Sequence, residues 1–197
     1  FGGCSSSANM GCSGYSQGVY KCEIGWSGAI AACSTSGQLQ IGTVSGASGV
    51  GLGAMSGTVY ANYIYLIGGL APSVVDLNTV RYARFDDNND IVTVGSGWTV
   101  STNTMLNGRR RSSAFGYNGY IYVVGGFEDG GGGVLRDIEF IKVNVSDGSL
   151  GSVSEGFQES SVTINQRWGL TVPVSNSYAY VIGGCTIGDS PTCDTGG

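Results

Sequence analysis

A chain of 197 residues with 36 glycines, no histidine, 12% charged residues and a formal net charge of −5 excludes several classes of protein before any motif is read. Hydrophobic residues make up 41%, enough to build a core, whereas the few basic residues leave no electrostatic footprint for a phosphate backbone. No apolar run approaches the ~20 residues needed to cross a bilayer, and the glycines follow no collagen-like period, so they are expected to serve turns and close packing.

Along the chain a short signature recurs. It begins as Phe1-Gly2-Gly3 and returns as Tyr63-Ile64-Tyr65-Leu66-Ile67-Gly68-Gly69, Tyr120-Ile121-Tyr122-Val123-Val124-Gly125-Gly126 and Tyr178-Ala179-Tyr180-Val181-Ile182-Gly183-Gly184. The first glycines fall at 2, 68, 125 and 183, intervals of 66, 57 and 58 residues. Each later copy follows turn chemistry, at Asn62, Asn118-Gly119 or Asn176-Ser177, which marks it as one strand of a hairpin.

A second alternating run follows each of two copies: Val80 to Phe85 and Ile138 to Val143. Period-two alternation predicts a strand with one buried face. Polar turns come next, Asp86 to Asp90 and Ser146 to Ser149, and then short apolar runs, Ile91 to Val94 and Leu150 to Val153, which predict a second hairpin. No stretch carries a sustained 3.6-residue period, so each unit reads as about four antiparallel strands without a helix. A unit this small cannot bury both faces alone, and stacking copies around an axis does so.

In order along the chain, Gly68-Gly69, Tyr82 and Trp98 resemble the kelch repeat, whose units run roughly 50 residues. The next copy offers Gly125-Gly126 and Phe140, with Val153 near the tryptophan position, and Arg111 to Tyr117 and Arg167 to Pro173 resemble the kelch strand that leads to the following Gly-Gly. The resemblance, to secreted bacterial-type kelch proteins, implies an all-β β-propeller. It places roughly three blades on the chain, with units at about 1–67, 68–124 and 125–182 and the start of another at 183–197. A propeller usually has four to eight blades, so either the protein is expected to continue past these residues or several chains close the ring. Any signal peptide is expected upstream of Phe1.

Six cysteines permit fifteen pairings. Cys4 and Cys12 follow Gly2-Gly3 with the spacing that Cys185 and Cys193 show after Gly183-Gly184, which argues for the same local bridge in each pair. Cys22 and Cys33 then flank a hairpin turn and are expected to pair across it. Local bridges imply an oxidising compartment, hence the cell surface or extracellular space. A zinc site is disfavoured by the absence of histidine and of C-x2-C.

Chemistry is sparse. The copper-oxidase members of the kelch resemblance use histidine, which this chain lacks. Asp137, Glu139, Glu155 and Glu159 are available to a glycosidase but read as solvated strand edges and turns, and Ser146 to Gly151 is only faintly similar to the aspartate box of sialidase-like propellers. Asp86, Asp87 and Asp90 are a weak calcium set, read first as an Asx-rich turn. Gly130 to Gly133 lacks the helix and lysine of a phosphate cradle. Asn144-Val145-Ser146 is a glycosylation sequon that matters only in a eukaryotic secretory pathway.

Arg111 and Arg167 are expected at equivalent repeat positions, contacting either a neighbouring blade or an anionic ligand. Tyr15, Phe127 and Phe157 are expected as exposed aromatics able to stack on a sugar. These features point to a non-catalytic binding module that recognises a glycan or protein partner through its loops, with no cofactor. The alternatives are a structural subunit built by blade-to-blade assembly and part of a carbohydrate-active enzyme.

Overall fold

In a computed structural model the described residues are 4–8, 11–35, 38–41, 52–71, 75–92, 97–152 and 154–186. They form strands joined by turns and loops, without a helix. The strands are β1 (Cys4–Ala8), β2 (Gly11–Tyr15), β3 (Lys21–Ile24), β4 (Ile30–Ser34), β5 (Ser56–Tyr60), β6 (Tyr63–Ile67), β7 (Leu70–Ala71), β8 (Val75–Asp76) and β9 (Val80–Phe85). They continue with β10 (Ile91–Val92), β11 (Thr99–Val100), β12 (Ser113–Tyr117), β13 (Tyr120–Glu128), β14 (Gly133–Lys142), β15 (Gln158–Glu159), β16 (Val174–Ser175) and β17 (Tyr178–Ala179). No helix is long and apolar enough to cross a membrane among the described residues.

Two antiparallel sheets dominate. The first has the order β10-β9-β6-β5, with β11 also on β9, and the second the order β12-β13-β14-β15. Four two-stranded ribbons accompany them, β1–β2, β3–β4, β7–β8 and β16–β17. The hairpins leading into each tyrosine strand turn through positive φ at both central residues: Ala61 and Asn62 (48° and 66°), Asn118 and Gly119 (47° and 87°), Asn176 and Ser177 (48° and 67°). That is the type I′ pattern, whose twist suits adjoining antiparallel strands.

Register repeats from sheet to sheet. Tyr65 lies opposite Tyr82 and Tyr122 opposite Phe140. The rings stack with centroids 5.9 Å apart in both sheets, and Tyr63 and Tyr120 meet the same ring of the neighbouring strand, Tyr82 or Phe140, edge-on at 6.4 and 6.1 Å. Alternation then divides the core. Tyr63, Tyr65, Ile67, Val80 and Tyr82 face Ile121, Val123, Ile141 and Val143 of the second sheet. Ile64, Leu66 and Ala83, on the opposite face, pack with Val19, Ile41 and Leu52. The Tyr65 hydroxyl, fully buried, donates to the Gly148 carbonyl at 3.0 Å, and burial raises its pKa above the ordinary phenol value.

The double glycines sit where one sheet meets the next. Gly68, Gly125 and Gly183 have φ of 60°, 57° and 67°, and Gly69, Gly126 and Gly184 have 101°, 115° and 93°, values that favour glycine. The Gly69 amide donates to the Arg109 carbonyl (2.8 Å) and the Gly126 amide to the Arg167 carbonyl (2.9 Å). A Cβ on Gly125 would lie 2.5 Å from that same Arg167 oxygen. A second contact steps between sheets: the Arg111 amide donates to Ala54 O and the Gly169 amide to Arg111 O, each at 2.8 Å. Ala54, Arg111 and Gly169 share a left-handed φ of 51°, 55° and 67°.

These contacts revise four expectations. Arg167 corresponds to Arg109 and not to Arg111, because Arg109 and Arg167 play the same part toward the glycine pair. The apolar run from Leu150 contributes an isolated bridge to Val143, and the outer strand is instead β15, with Gln158 opposite Phe140 as Thr99 is opposite Tyr82. The counterpart of Trp98 is therefore Phe157, which is buried and not a surface aromatic; Val153 lies outside the described residues. Finally, the sheets span β5 to β11 and β12 to β15, so each Gly-Gly falls inside a sheet, whereas the sequence units were phased to begin there.

Cys22 and Cys33 face each other across the β3–β4 ribbon and form a disulfide. Cys185 is disulfide-bonded; Cys193 and the side chains of Cys4 and Cys12 lie outside the described residues. Two stability outcomes follow from the packing. Gly125→Ala, forced against a neighbouring backbone at positive φ, is expected to cost about 1–3 kcal/mol in urea unfolding. Tyr65→Phe orphans a buried carbonyl and is expected to cost about 1–2 kcal/mol by the same measurement.

Candidate functional site between the two sheets

The segment from Ser101 to Ser112 leaves the first sheet and enters the second. Met105 N donates to Asn78 O and Arg109 N to Leu77 O, which fixes the segment along the first sheet while the Arg109 side chain crosses to the second. Its Nη1 donates to Gly125 O (3.0 Å), Nη2 donates to Asp137 Oδ2 (2.6 Å), and Nη2 also meets Glu139. Glu139 in turn accepts the amides of Leu106 (2.8 Å) and Asn107 (3.3 Å). Arg109 and Glu139 are fully buried, so the reading of Asp137 and Glu139 as solvated edges is wrong. Burial pushes the Glu139 carboxyl above its usual range, opposed by Arg109 and the two amides.

The next two residues carry the cluster outward. Arg110 is bound by Asp76 (2.6 Å) and Asp129 (2.8 Å) and stacks 4.7 Å over the Phe127 ring. Arg111 stacks at the same distance over Trp168, and Phe127, Trp168 and Cys185 form one buried cluster. Phe127 is thus a buried platform under an arginine and not an exposed sugar-stacking ring. Arg111 and Phe127 are brought into one neighbourhood through Trp168. Arg167 is half-buried, with Nε donating to Asn165 O (3.0 Å) and Nη1 to Gly183 O (2.9 Å). The side chain of Tyr15 lies outside the described residues.

Beside the Arg109–Asp137 pair opens a groove of about 310 Å³ lined by Asn107, Gly132, Leu135, Arg136, Asp137 and Gln166, with Val134. Met105 N and Ile164 N make the same contact in successive sheets, to Asn78 O and Arg136 O. Asn107 and Gln166 lie on these two connecting segments, so the groove has a primary amide from each. Gln166 Nε2 donates to Thr186 O at 3.2 Å, which helps to hold its side chain. Gly130 to Gly133 form the tip of the β13–β14 hairpin at one end of this groove. Amides, a guanidinium and a carboxylate held by its own arginine can exchange hydrogen bonds with hydroxyl or amide groups.

Other candidates are used locally. Asp86 Oδ1 accepts the amides of Asn88 (2.9 Å) and Asp90 (2.8 Å), and Asp90 pairs with Lys21 at 2.8 Å; Asp87 is exposed. Among the described residues no group of three or more histidine, cysteine, aspartate or glutamate side chains gathers to hold a metal. Glu155 and Glu159 are exposed.

The sequence reading gave Arg109, Arg110, Asp76 and Trp168 no role in a site. A signal was present: three successive arginines entering a strand cannot all face solvent when side chains alternate. Removing Arg109 should leave two carboxylates unpaired, and Arg109→Met is expected to cost about 3–5 kcal/mol. With its cation gone, the Glu139 pKa stands further above its unfolded value. The variant is therefore relatively more stable near pH 4 and loses that stability as pH rises through the folded pKa, read by thermal unfolding across about pH 4 to 8.

No family model and no curated protein matches the chain. A solved structure titled "Structure of YjhT" is similar in fold, with a TM-score of 0.50 and 19% identity over 70% of this chain and 36% of that one. This chain thus spans about a third of the neighbour's length.

Proposed function

We propose that this chain is a run of kelch-type β-propeller blades, acting as a non-catalytic module that binds a glycan or protein partner through the loops at the junction of its sheets. A five-stranded and a four-stranded sheet with the same register and the same glycine contacts support the propeller reading. The groove carries the functional part: primary amides at Asn107 and Gln166 line it together with Arg136 and Asp137, a donor and acceptor set suited to sugar hydroxyls. The one carboxylate on that lining, Asp137, is already paired with Arg109, which favours recognition over acid–base work.

The Cys22–Cys33 disulfide suits an oxidising compartment, and an extracellular or cell-surface location is part of the proposal. A glycan array probed with the chain is expected to give discrete signals. Asn107→Ala and Gln166→Ala should each weaken the strongest of them about fivefold or more, near 1 kcal/mol. A flat array, or binding indifferent to both variants, overturns the groove as the recognition site.

A further inference from the structure

The junction ahead of the first sheet differs in charge from the one between the two sheets. Leu66 lies opposite Arg81 as Val123 lies opposite Glu139, so Arg81 holds the position of Glu139, and Thr79, two residues earlier, that of Asp137. Leu52 stands 16 residues before the first glycine of its pair (68 − 52), as Arg109 does before the next (125 − 109). The second sheet therefore sets two carboxylates against an arginine. In the first, an arginine stands where the acid was and a leucine where its partner was, and Leu52 packs in one buried cluster with Leu66.

Arg81 is only 7% exposed. Among the described residues its guanidinium makes one hydrogen bond, from Nη1 to Thr79 Oγ1 at 3.4 Å, and no carboxylate pairs with it. The connecting segment that enters this sheet cannot supply one, because the chain from Ile24 to Val75 contains neither aspartate nor glutamate. The residues opposite Arg81 on the two adjoining strands, Leu66 and Val100, are apolar. Burial lowers the Arg81 pKa, yet an arginine keeps its proton in such surroundings, and a buried cation without a counter-ion is strongly unfavourable. Val100 is itself exposed, which puts the guanidinium one side chain away from solvent.

From this mismatch we propose that the junction is an oxyanion site, in which the planar fork of Arg81 and the hydroxyl of Thr79 hold the phosphate, sulfate or carboxylate group of a small solute. The Thr79 oxygen accepts from Arg81, so its own hydrogen is left to donate to the anion. The bound anion does for Arg81 what Asp137 and Glu139 do for Arg109. The site lies on the face of the first sheet turned away from the second, and it does not depend on what the groove binds.

Thermal unfolding of the 197-residue chain in chloride, and in phosphate, sulfate or acetate at matched ionic strength, tests the site. Each oxyanion is expected to raise the midpoint to a plateau. Arg81→Met removes the cation and keeps an apolar stem; in chloride it should unfold at no lower temperature than the parent chain, and it should show only the unsaturated rise that excluded salts give any protein. Thr79→Val should weaken the apparent phosphate affinity about fivefold, whereas Arg84→Met, at an exposed position of the same strand, should leave it unchanged. The proposal is overturned by the absence of a plateau with all three anions, by a plateau that survives Arg81→Met or disappears in Arg84→Met, or by a marked loss of stability of Arg81→Met in chloride.

Discussion

The arrangement depends on a backbone contact: a glycine amide reaching the carbonyl of the arginine that leads into the next sheet, Gly69 to Arg109 and Gly126 to Arg167. Two conditions must hold together. The glycine backbone must enter the left-handed region, and no Cβ can stand where the neighbouring chain passes. A pair of glycines meets both, since the first lies against the arginine carbonyl and the second donates to it. The spacing of the pairs then sets the spacing of the sheets, and the aromatic stacks of Tyr65 with Tyr82 and Tyr122 with Phe140 fill the layers so defined.

Charge is placed by the same contact. Because the Arg109 backbone is held against the first sheet, its side chain is directed into the second, where Asp137 and Glu139 receive it. A chain with so few charged residues thus buries several of them at one junction. Such a cluster has little reason to be stabilising in net terms, since desolvation offsets much of the attraction. Its effect lies in geometry: it fixes the loop carrying Asn107 beside the β14 residues Arg136 and Asp137, which together form the groove.

The inner and third strands of each sheet were legible in the sequence because their side chains alternate strictly and their turns use asparagine and glycine at positions that need positive φ. The short outer strand was not. Leu150 to Val153 looks more strand-like than Gln158–Glu159, yet strand β15 pairs through backbone bonds to β14 that composition does not advertise. The same slip hid the correspondence between Trp98 and Phe157. Arginine register failed for another reason. Arg111 begins a segment that resembles the one beginning at Arg167 in residue type, but it is Arg109 that shares with Arg167 a position 16 residues before the next Gly-Gly (125 − 109 and 183 − 167), whereas Arg111 stands 14 before it. Glu139 looked like an edge residue because its ionic partner lies 30 positions away along the chain.

The step from Ala54 to Arg111 to Gly169 joins like positions in successive sheets through single backbone bonds. Its participants need only an amide, a carbonyl and a tolerated left-handed φ, and alanine, arginine and glycine all serve. Each junction is therefore a local agreement between two neighbours, and sequence drift at one leaves the others untouched. A protein held this way can lengthen, shorten or redecorate its connecting loops one sheet at a time.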